Sequence, residues 1–218
     1  MKKLINILMI LFLGSLYMAS GQGIEYYIEA GDNNFEEGKY ELAIDKYAKA
    51  IDLQPENAEL YNKRGLSYYH TDNFDRAIAD FSTAINYKKD YAEAYNNLAL
   101  CYLHNGNFEE ARRFLNKSIE ADPYYADAYF NRAEMNVDLE NYEQALRDYS
   151  KVLSIDSTDF VAYEKRAAIY QMFEEYDKAL QDLNKAIDIN PDFGDGYYRR
   201  GLINYELGNF GEAVDDFT

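Results

Sequence analysis

The chain of 218 residues contains no tryptophan, a single cysteine, three prolines and twelve glycines. Because Cys101 is alone, no intramolecular disulfide and no cysteine metal cluster can form, and we predict that it is a small core residue. So few prolines and glycines argue against an all-β protein and favour long helices. We find no glycine-rich phosphate loop and no nucleophile beside a plausible base, so we predict no enzymatic activity and no cofactor.

Basic residues are also scarce, with 22 Lys and Arg against 39 Asp and Glu and a formal net charge of -17. A surface this acidic repels phosphate backbones and anionic lipids, so we expect neither a nucleic-acid partner nor loose adsorption to membranes. The charge is explained either by solubility or by a specific basic partner.

The N-terminus has the features of a signal peptide. Lys2 and Lys3 precede an apolar run that begins at Leu4, and the small residues Ala19 and Gly21 fit the recognition positions of a signal peptidase. We predict a signal peptide over residues 1–21, cleaved near Gly21, and export from a bacterial cytoplasm to the periplasm or the medium. An uncleaved anchor is the alternative, because the uncharged stretch is long enough to span a bilayer. No later segment is apolar enough to do so.

A 34-residue period fills the rest of the sequence without insertion or deletion. The repeats are 24–57, 58–91, 92–125, 126–159, 160–193 and the partial repeat 194–218. The fourth position of every repeat is tyrosine, the eighth is glycine or alanine, the seventeenth is aromatic and the twentieth is alanine. The three prolines, Pro55, Pro123 and Pro191, all occupy the thirty-second position.

The period predicts two helices per repeat. Positions 4, 8 and 11 lie on one face of a first helix, and positions 20, 24 and 27 on one face of a second. Small residues at positions 8 and 20 allow the two backbones to approach, while the aromatic residues fill the space beside them. Gly38, Gly106 and Gly208 stand where the first helix must end.

This pattern resembles the tetratricopeptide repeat family over Ile24 to Thr218. The resemblance implies an all-α fold, a right-handed superhelical solenoid of antiparallel helix hairpins, over residues 22–218. The sixth repeat stops at Thr218, within its second helix. Solenoids usually end in a polar capping helix, so we expect a fragment of a longer protein, the alternative being an end that contacts a partner.

The resemblance also implies that the concave surface, formed by the first helices, binds a protein or peptide. A mixed apolar and acidic lining would suit a partner with apolar anchors and some Lys or Arg. The predicted groove residues are Ile28, Asn62, Tyr69, Asn96, Leu103, Phe130, Glu134, Tyr198 and Tyr205. The twelfth position, which includes Tyr69, has an equally good interpretation as packing between helices.

Two functions follow from this resemblance. The first is an exported protein-interaction scaffold. The alternative is the sensing or docking region of a larger envelope signalling protein whose catalytic domain lies beyond residue 218.

His70 and His104 occupy the same position of adjacent repeats and should be neighbours. A metal site would need further ligands, so we predict groove-lining histidines without a metal.

A last pattern comes from comparing repeats. Arginine at the seventh position occurs only where the twenty-third is aspartate, which predicts an ion pair between the two helices of one hairpin. The pairs are Arg64 with Asp80, Arg132 with Asp148, Arg166 with Asp182, and Arg200 with Asp216. The first repeat has Ala30 with Lys46 instead, and the third has Leu98 with Phe114.

Overall fold

The computed structural model describes residues 23–218. The predicted signal peptide, residues 1–21, lies outside the described residues. The described residues divide into two compact units, one ending at Ala121 and the other running from Asp122 to Thr218, here called the N-terminal and C-terminal units.

Every regular element of the described residues is a helix, and consecutive helices pack against each other as hairpins within each unit. The N-terminal unit contains α1 (23–36), α2 (Tyr40–Leu53), α3 (Ala58–His70), α4 (Phe74–Tyr87), α5 (Ala92–His104) and α6 (Phe108–Ala121). The C-terminal unit contains α7 (Ala126–Asp138), α8 (Tyr142–Ile155), α9 (Phe160–Met172), α10 (Tyr176–Ile189), α11 (Gly194–Glu206) and α12 (Phe210–Asp216). The predicted all-α solenoid of helix hairpins is confirmed.

Close contact between the helices of a hairpin explains the small eighth position. A Cβ atom added to Gly65 would lie 2.7 Å from the ring of Phe81, which is fully buried on α4. A Cβ atom added to Gly31 would likewise lie 2.5 Å from the Tyr47 ring, and one added to Gly201 would lie 2.6 Å from the Phe217 ring. In the third hairpin the eighth position is alanine and the residue opposite is Leu115, a smaller side chain than an aromatic ring.

The turn inside each hairpin requires a left-handed backbone. Gly38, Gly106 and Gly208 have φ of 71°, 71° and 80°. The same turn position holds Asp72, Glu140 and Glu174 in the other repeats, with φ of 56° to 58°. A side chain makes this conformation unfavourable, so these three turns are strained relative to the glycine turns.

The Arg–Asp pairs lie within single hairpins. In all four, two guanidinium nitrogens donate to the aspartate oxygens over 2.5 to 3.1 Å. The aspartate side chains are 3 to 9% exposed and the arginine side chains 18 to 24%. The hydrogen bonds that Arg64 donates to Asp80 raise the pKa of Arg64 above its ordinary value, against the opposing effect of burial.

In the second repeat, which has an Arg–Asp pair, and in the third, which has none, two tyrosines of the first helix flank the seventh position. The Arg64 guanidinium lies over the rings of Tyr61 and Tyr68, at 5.6 and 6.0 Å from their centroids. In the third hairpin the ring of Phe114 stacks there instead, 6.4 Å from Tyr95 and 5.4 Å from Tyr102. An apolar contact therefore fills the space that the ion pair fills elsewhere.

Within residues 23–218, no helix is both long enough and apolar enough to cross a membrane.

Candidate functional site

A cleft of about 310 Å³ opens on the N-terminal unit, where the first helices of three repeats lie side by side. We call it the N-terminal cleft. It is lined by Asp32, Phe35 and Glu36 of α1, Tyr47 of α2, Lys63 and Leu66 of α3, and Glu93 of α5.

Asp32 is fixed in this cleft by two donors. The Tyr47 hydroxyl donates to Asp32 Oδ1 over 2.7 Å, and Lys63 Nζ donates to Oδ1 and Oδ2 over 2.8 and 2.9 Å. The Tyr47 ring is buried against Gly31, and burial together with this hydrogen bond raises the Tyr47 pKa well above its usual range. Tyr47 is thus a neutral donor, and its hydroxyl positions the carboxylate.

The cleft carries more negative than positive charge. Glu36 is exposed, Glu93 accepts a hydrogen bond from Asn62 Nδ2 over 2.9 Å, and Lys63 is the only basic residue in the lining. Three carboxylates against one ammonium group attract a cation. Phe35 and Leu66, both half-buried, supply apolar surface beside the acids. The cleft can therefore hold a cationic side chain next to an apolar one.

Two predicted groove residues are corrected by the structure. The side chains of Asn62 and Asn96 lie in the interior, with exposures of 1% and 3%. Asn62 is held by its bond to Glu93 and by Asn97 Nδ2, which donates to its Oδ1 over 3.1 Å. Asn62 thus bonds across to the adjacent first helix, and both Asn62 and Asn96 are buried, so neither faces a partner.

The other predicted residues of the N-terminal unit are half-buried. Ile28 packs against the cluster that contains Leu60, and Tyr69 packs against the cluster around Phe81. Tyr69 also contacts Phe74 edge-on, with ring centroids 5.4 Å apart. The packing interpretation thus holds for Tyr69, while Leu103 stays half-exposed on α5.

In the C-terminal unit the predicted residues are more accessible. Tyr198 and Tyr205 are 58% and 61% exposed. Phe130 is half-buried and meets the Tyr149 ring edge-on at 5.6 Å. Glu134 accepts hydrogen bonds from the Tyr149 hydroxyl and from Lys165 Nζ.

Tyr47 and Lys63 were not among the predicted residues. The sequence does contain a signal for them, because an acid at the ninth position occurs only with tyrosine at the twenty-fourth and lysine at the sixth position of the next repeat. The comparison between repeats that predicts the Arg–Asp pairs would have identified this set as well.

The two histidines stack on aromatic rings, and the cysteine lies in the hydrophobic core. His70 stacks on Tyr40 at 4.6 Å and His104 on Phe74 at 3.9 Å. Cys101 is buried in the core, as predicted, and burial raises its pKa to about 12. Among residues 23–218, no three His, Cys, Asp or Glu side chains are grouped so that they could hold a metal ion.

Family models match most of the repeats. One tetratricopeptide repeat model matches residues 62–126, another matches 31–72 and 174–208, and a third matches 126–159. No curated protein sequence matches the chain significantly.

Solved structures of similar fold include PilF of Pseudomonas aeruginosa, at 16% identity and a TM-score of 0.81, covering 91% of this chain and 90% of that one. MamA shares 25% identity with a TM-score of 0.64, covering 74% of this chain and 94% of its own. YrrB, described as a TPR protein with an unusual peptide-binding site, shares 22% identity with a TM-score of 0.61, covering 84% and 97%.

Proposed function

Because the chain is built from tetratricopeptide repeats, we propose that it is a non-catalytic scaffold that binds an extended segment of a partner protein. The N-terminal cleft is the binding site, and the segment it takes carries a Lys or Arg beside an apolar side chain. The observation that carries this proposal is the lining itself, in which three carboxylates and one lysine surround the apolar Phe35 and Leu66.

Each part of the lining has a distinct role in this binding. Asp32 is already neutralised by Lys63, so Glu36 and Glu93 provide the charge that attracts the ligand cation. Phe35 and Leu66 bury an adjacent apolar side chain and so distinguish the segment from a merely basic one. Tyr47 keeps Asp32 and Lys63 in place and makes the floor of the site rigid.

Export is the second part of the proposal. The N-terminal pattern of Lys2, Lys3, an apolar run and the small residues Ala19 and Gly21 supports cleavage after Gly21. N-terminal sequencing of the protein from the envelope or the medium should then find Gln22 first. An intact Met1 in a membrane fraction would contradict cleavage and favour the anchor.

Peptide selection tests the binding function. A display library of random twelve-residue peptides is panned on the mature chain, and enriched peptides are titrated by calorimetry. We expect them to pair Lys or Arg with a neighbouring apolar residue, and to bind more weakly as salt rises. Enrichment of acidic or purely polar peptides would overturn the proposal.

A charge reversal in the cleft provides the matched comparison. Glu36→Lys should weaken the selected peptides at least tenfold, because a cation in the cleft repels the ligand cation. Glu41→Lys, an equal change at an exposed residue of α2 outside the lining, should change affinity less than about twofold at 0.15 M salt. Equal losses in the two variants would mean that overall charge, rather than the cleft, attracts the peptide.

A further inference from the structure

The lining of the N-terminal cleft recurs in the C-terminal unit. Every lining residue has a counterpart of the same chemical class 102 residues later, which is three repeats. The acids Asp32, Glu36 and Glu93 correspond to Glu134, Asp138 and Asp195. Tyr47 and Lys63 correspond to Tyr149 and Lys165, and the apolar Phe35 and Leu66 to Val137 and Ala168.

Other offsets do not reproduce the set. A shift of one repeat replaces Asp32 by Leu66 and Lys63 by Asn97, and a shift of two gives Leu100 and Asn131. The first three repeats and the last three are not copies of each other at every position. At the seventh position, for example, Ala30 of the first repeat corresponds to Arg132, which forms an ion pair. The recurrence is thus specific to these seven positions, of which the two tyrosines are buried, and is not explained by the pattern of helix packing that all repeats share.

The geometry recurs with the sequence. Glu134 is held by the Tyr149 hydroxyl on Oε1 and by Lys165 Nζ on Oε2 over 3.0 Å, as Asp32 is held by Tyr47 and Lys63. The exposed fractions are also similar, 37% for Glu134 against 36% for Asp32. In both units a tyrosine and a lysine from different helices fix one half-exposed carboxylate.

The rest of the C-terminal set is available to a ligand. Asp138 and Asp195 are exposed, and Val137 and Ala168 are half-buried. The charge balance is the same, three carboxylates with one lysine. The apolar pair is smaller than Phe35 and Leu66, which leaves more room beside the acids.

We infer that the C-terminal unit carries a second binding site, the C-terminal cleft, for the same class of ligand: a cationic side chain next to an apolar one. This inference rests on the proposed function of the N-terminal cleft. The smaller Val137 and Ala168 make the C-terminal cleft prefer a larger apolar neighbour, such as an aromatic ring. The chain therefore binds two segments, which a partner with two such motifs, or two partners, would supply.

Methyl NMR tests the two clefts separately. The mature chain, labelled at Ala, Leu and Val methyl groups, is titrated with N-acetyl-phenylalanyl-arginine amide. Leu66 reports on the N-terminal cleft, and Val137 and Ala168 report on the C-terminal cleft. We expect saturable shifts at both, with millimolar dissociation constants typical of so small a ligand. The acidic analogue N-acetyl-phenylalanyl-glutamate amide should shift neither.

Matched variants assign each response. Asp138→Lys should remove the shifts of Val137 and Ala168 and leave those of Leu66, and Glu36→Lys should do the reverse. Asp177→Lys, at an exposed residue of α10 outside both sets, should leave all of them. Replacing the phenylalanine of the ligand by alanine should weaken the C-terminal cleft at least threefold more than the N-terminal one.

The outcomes separate this inference from the proposed function. Shifts at Leu66 alone would overturn the second site and leave the proposed function standing. Shifts at neither cleft would contradict both. Shifts at both clefts that persist in Glu36→Lys and Asp138→Lys would mean diffuse attraction to an acidic surface and would also contradict both.

Discussion

The Arg64–Asp80 pair makes the most quantitative prediction, because among the described residues these two side chains hydrogen-bond only to each other. In the other three pairs Asp148 also accepts from Gln144, and Arg166 and Arg200 also donate to Ser150 and Asn184. Arg64→Ala leaves the Asp80 carboxylate, 9% exposed, without its counter-ion. The free energy of unfolding should fall by about 4 kcal/mol, within the range for breaking a buried pair. Asp80→Ala should cost less, about 3 kcal/mol, because Arg64 is 20% exposed and can turn partly toward water.

The third hairpin supplies the matched double variant. Arg64→Leu with Asp80→Phe introduces the residues of the third hairpin, Leu98 and Phe114, which pack in one cluster. The new side chains would lie between Tyr61 and Tyr68, which occupy the same repeat positions as Tyr95 and Tyr102. Since replacing a buried ion pair by apolar residues is often neutral, the double variant should lie within about 1 kcal/mol of the natural chain.

Urea denaturation followed by far-ultraviolet circular dichroism measures these differences. Hydrogen exchange of the α4 amides serves as a local readout, because repeat arrays need not unfold in one step. As a control, Lys49→Ala breaks the exposed Lys49–Asp45 pair and should leave the urea midpoint unchanged within error, because solvent screens an exposed pair. Single variants that cost less than about 1 kcal/mol, or a double variant that costs the sum of both, would refute the reasoning.

Three further predictions concern packing, turns and the thiol. Gly65→Ala should destabilise the chain by about 1–3 kcal/mol, because the new methyl group meets the Phe81 ring at 2.7 Å. Adding Phe81→Leu should restore most of the lost melting temperature. A single variant that is more stable than the natural chain would contradict this. Glu140→Gly should raise the free energy of unfolding by up to about 1 kcal/mol, because it relieves the left-handed φ of 58°; urea midpoints check it, and a lower midpoint would disprove it. The Cys101 thiol, whose pKa burial raises to about 12, should resist iodoacetamide at pH 8 until the chain unfolds. The buried neutral thiol contributes fully to the free energy of unfolding below the ordinary thiol pKa, and this contribution declines as the pH rises toward 12. Rapid alkylation of the folded chain would contradict the burial of Cys101.

The helices were predictable because the same packing requirement recurs in every 34-residue repeat. The tyrosine, small, aromatic and alanine positions determine which helix faces pack against each other. From α3 onward, each first helix begins at the first residue of its repeat. The Arg–Asp geometry was predictable for a related reason. A residue that appears only together with another reveals their contact, as Arg64 does with Asp80.

The site was less predictable, because the family pattern assigns positions and says nothing of their burial. Asn62 and Asn96 occupy a position expected in the groove, yet both are interior. Asn62 is held there by Glu93 and Asn97 of the adjacent first helix. The turn residues Glu140 and Glu174 have no sequence preference for the left-handed backbone that they adopt. They adopt it because the hairpin geometry requires it.

The structure of the mature chain with a selected peptide bound tests the central claim most directly. We predict that the peptide's Lys or Arg nitrogen lies within about 4 Å of a carboxylate oxygen of Glu36 or Glu93, the usual reach of an ion pair. Its apolar neighbour should contact Phe35 and Leu66. A peptide bound on the second helices, or one whose cation lies away from these acids, would contradict the account.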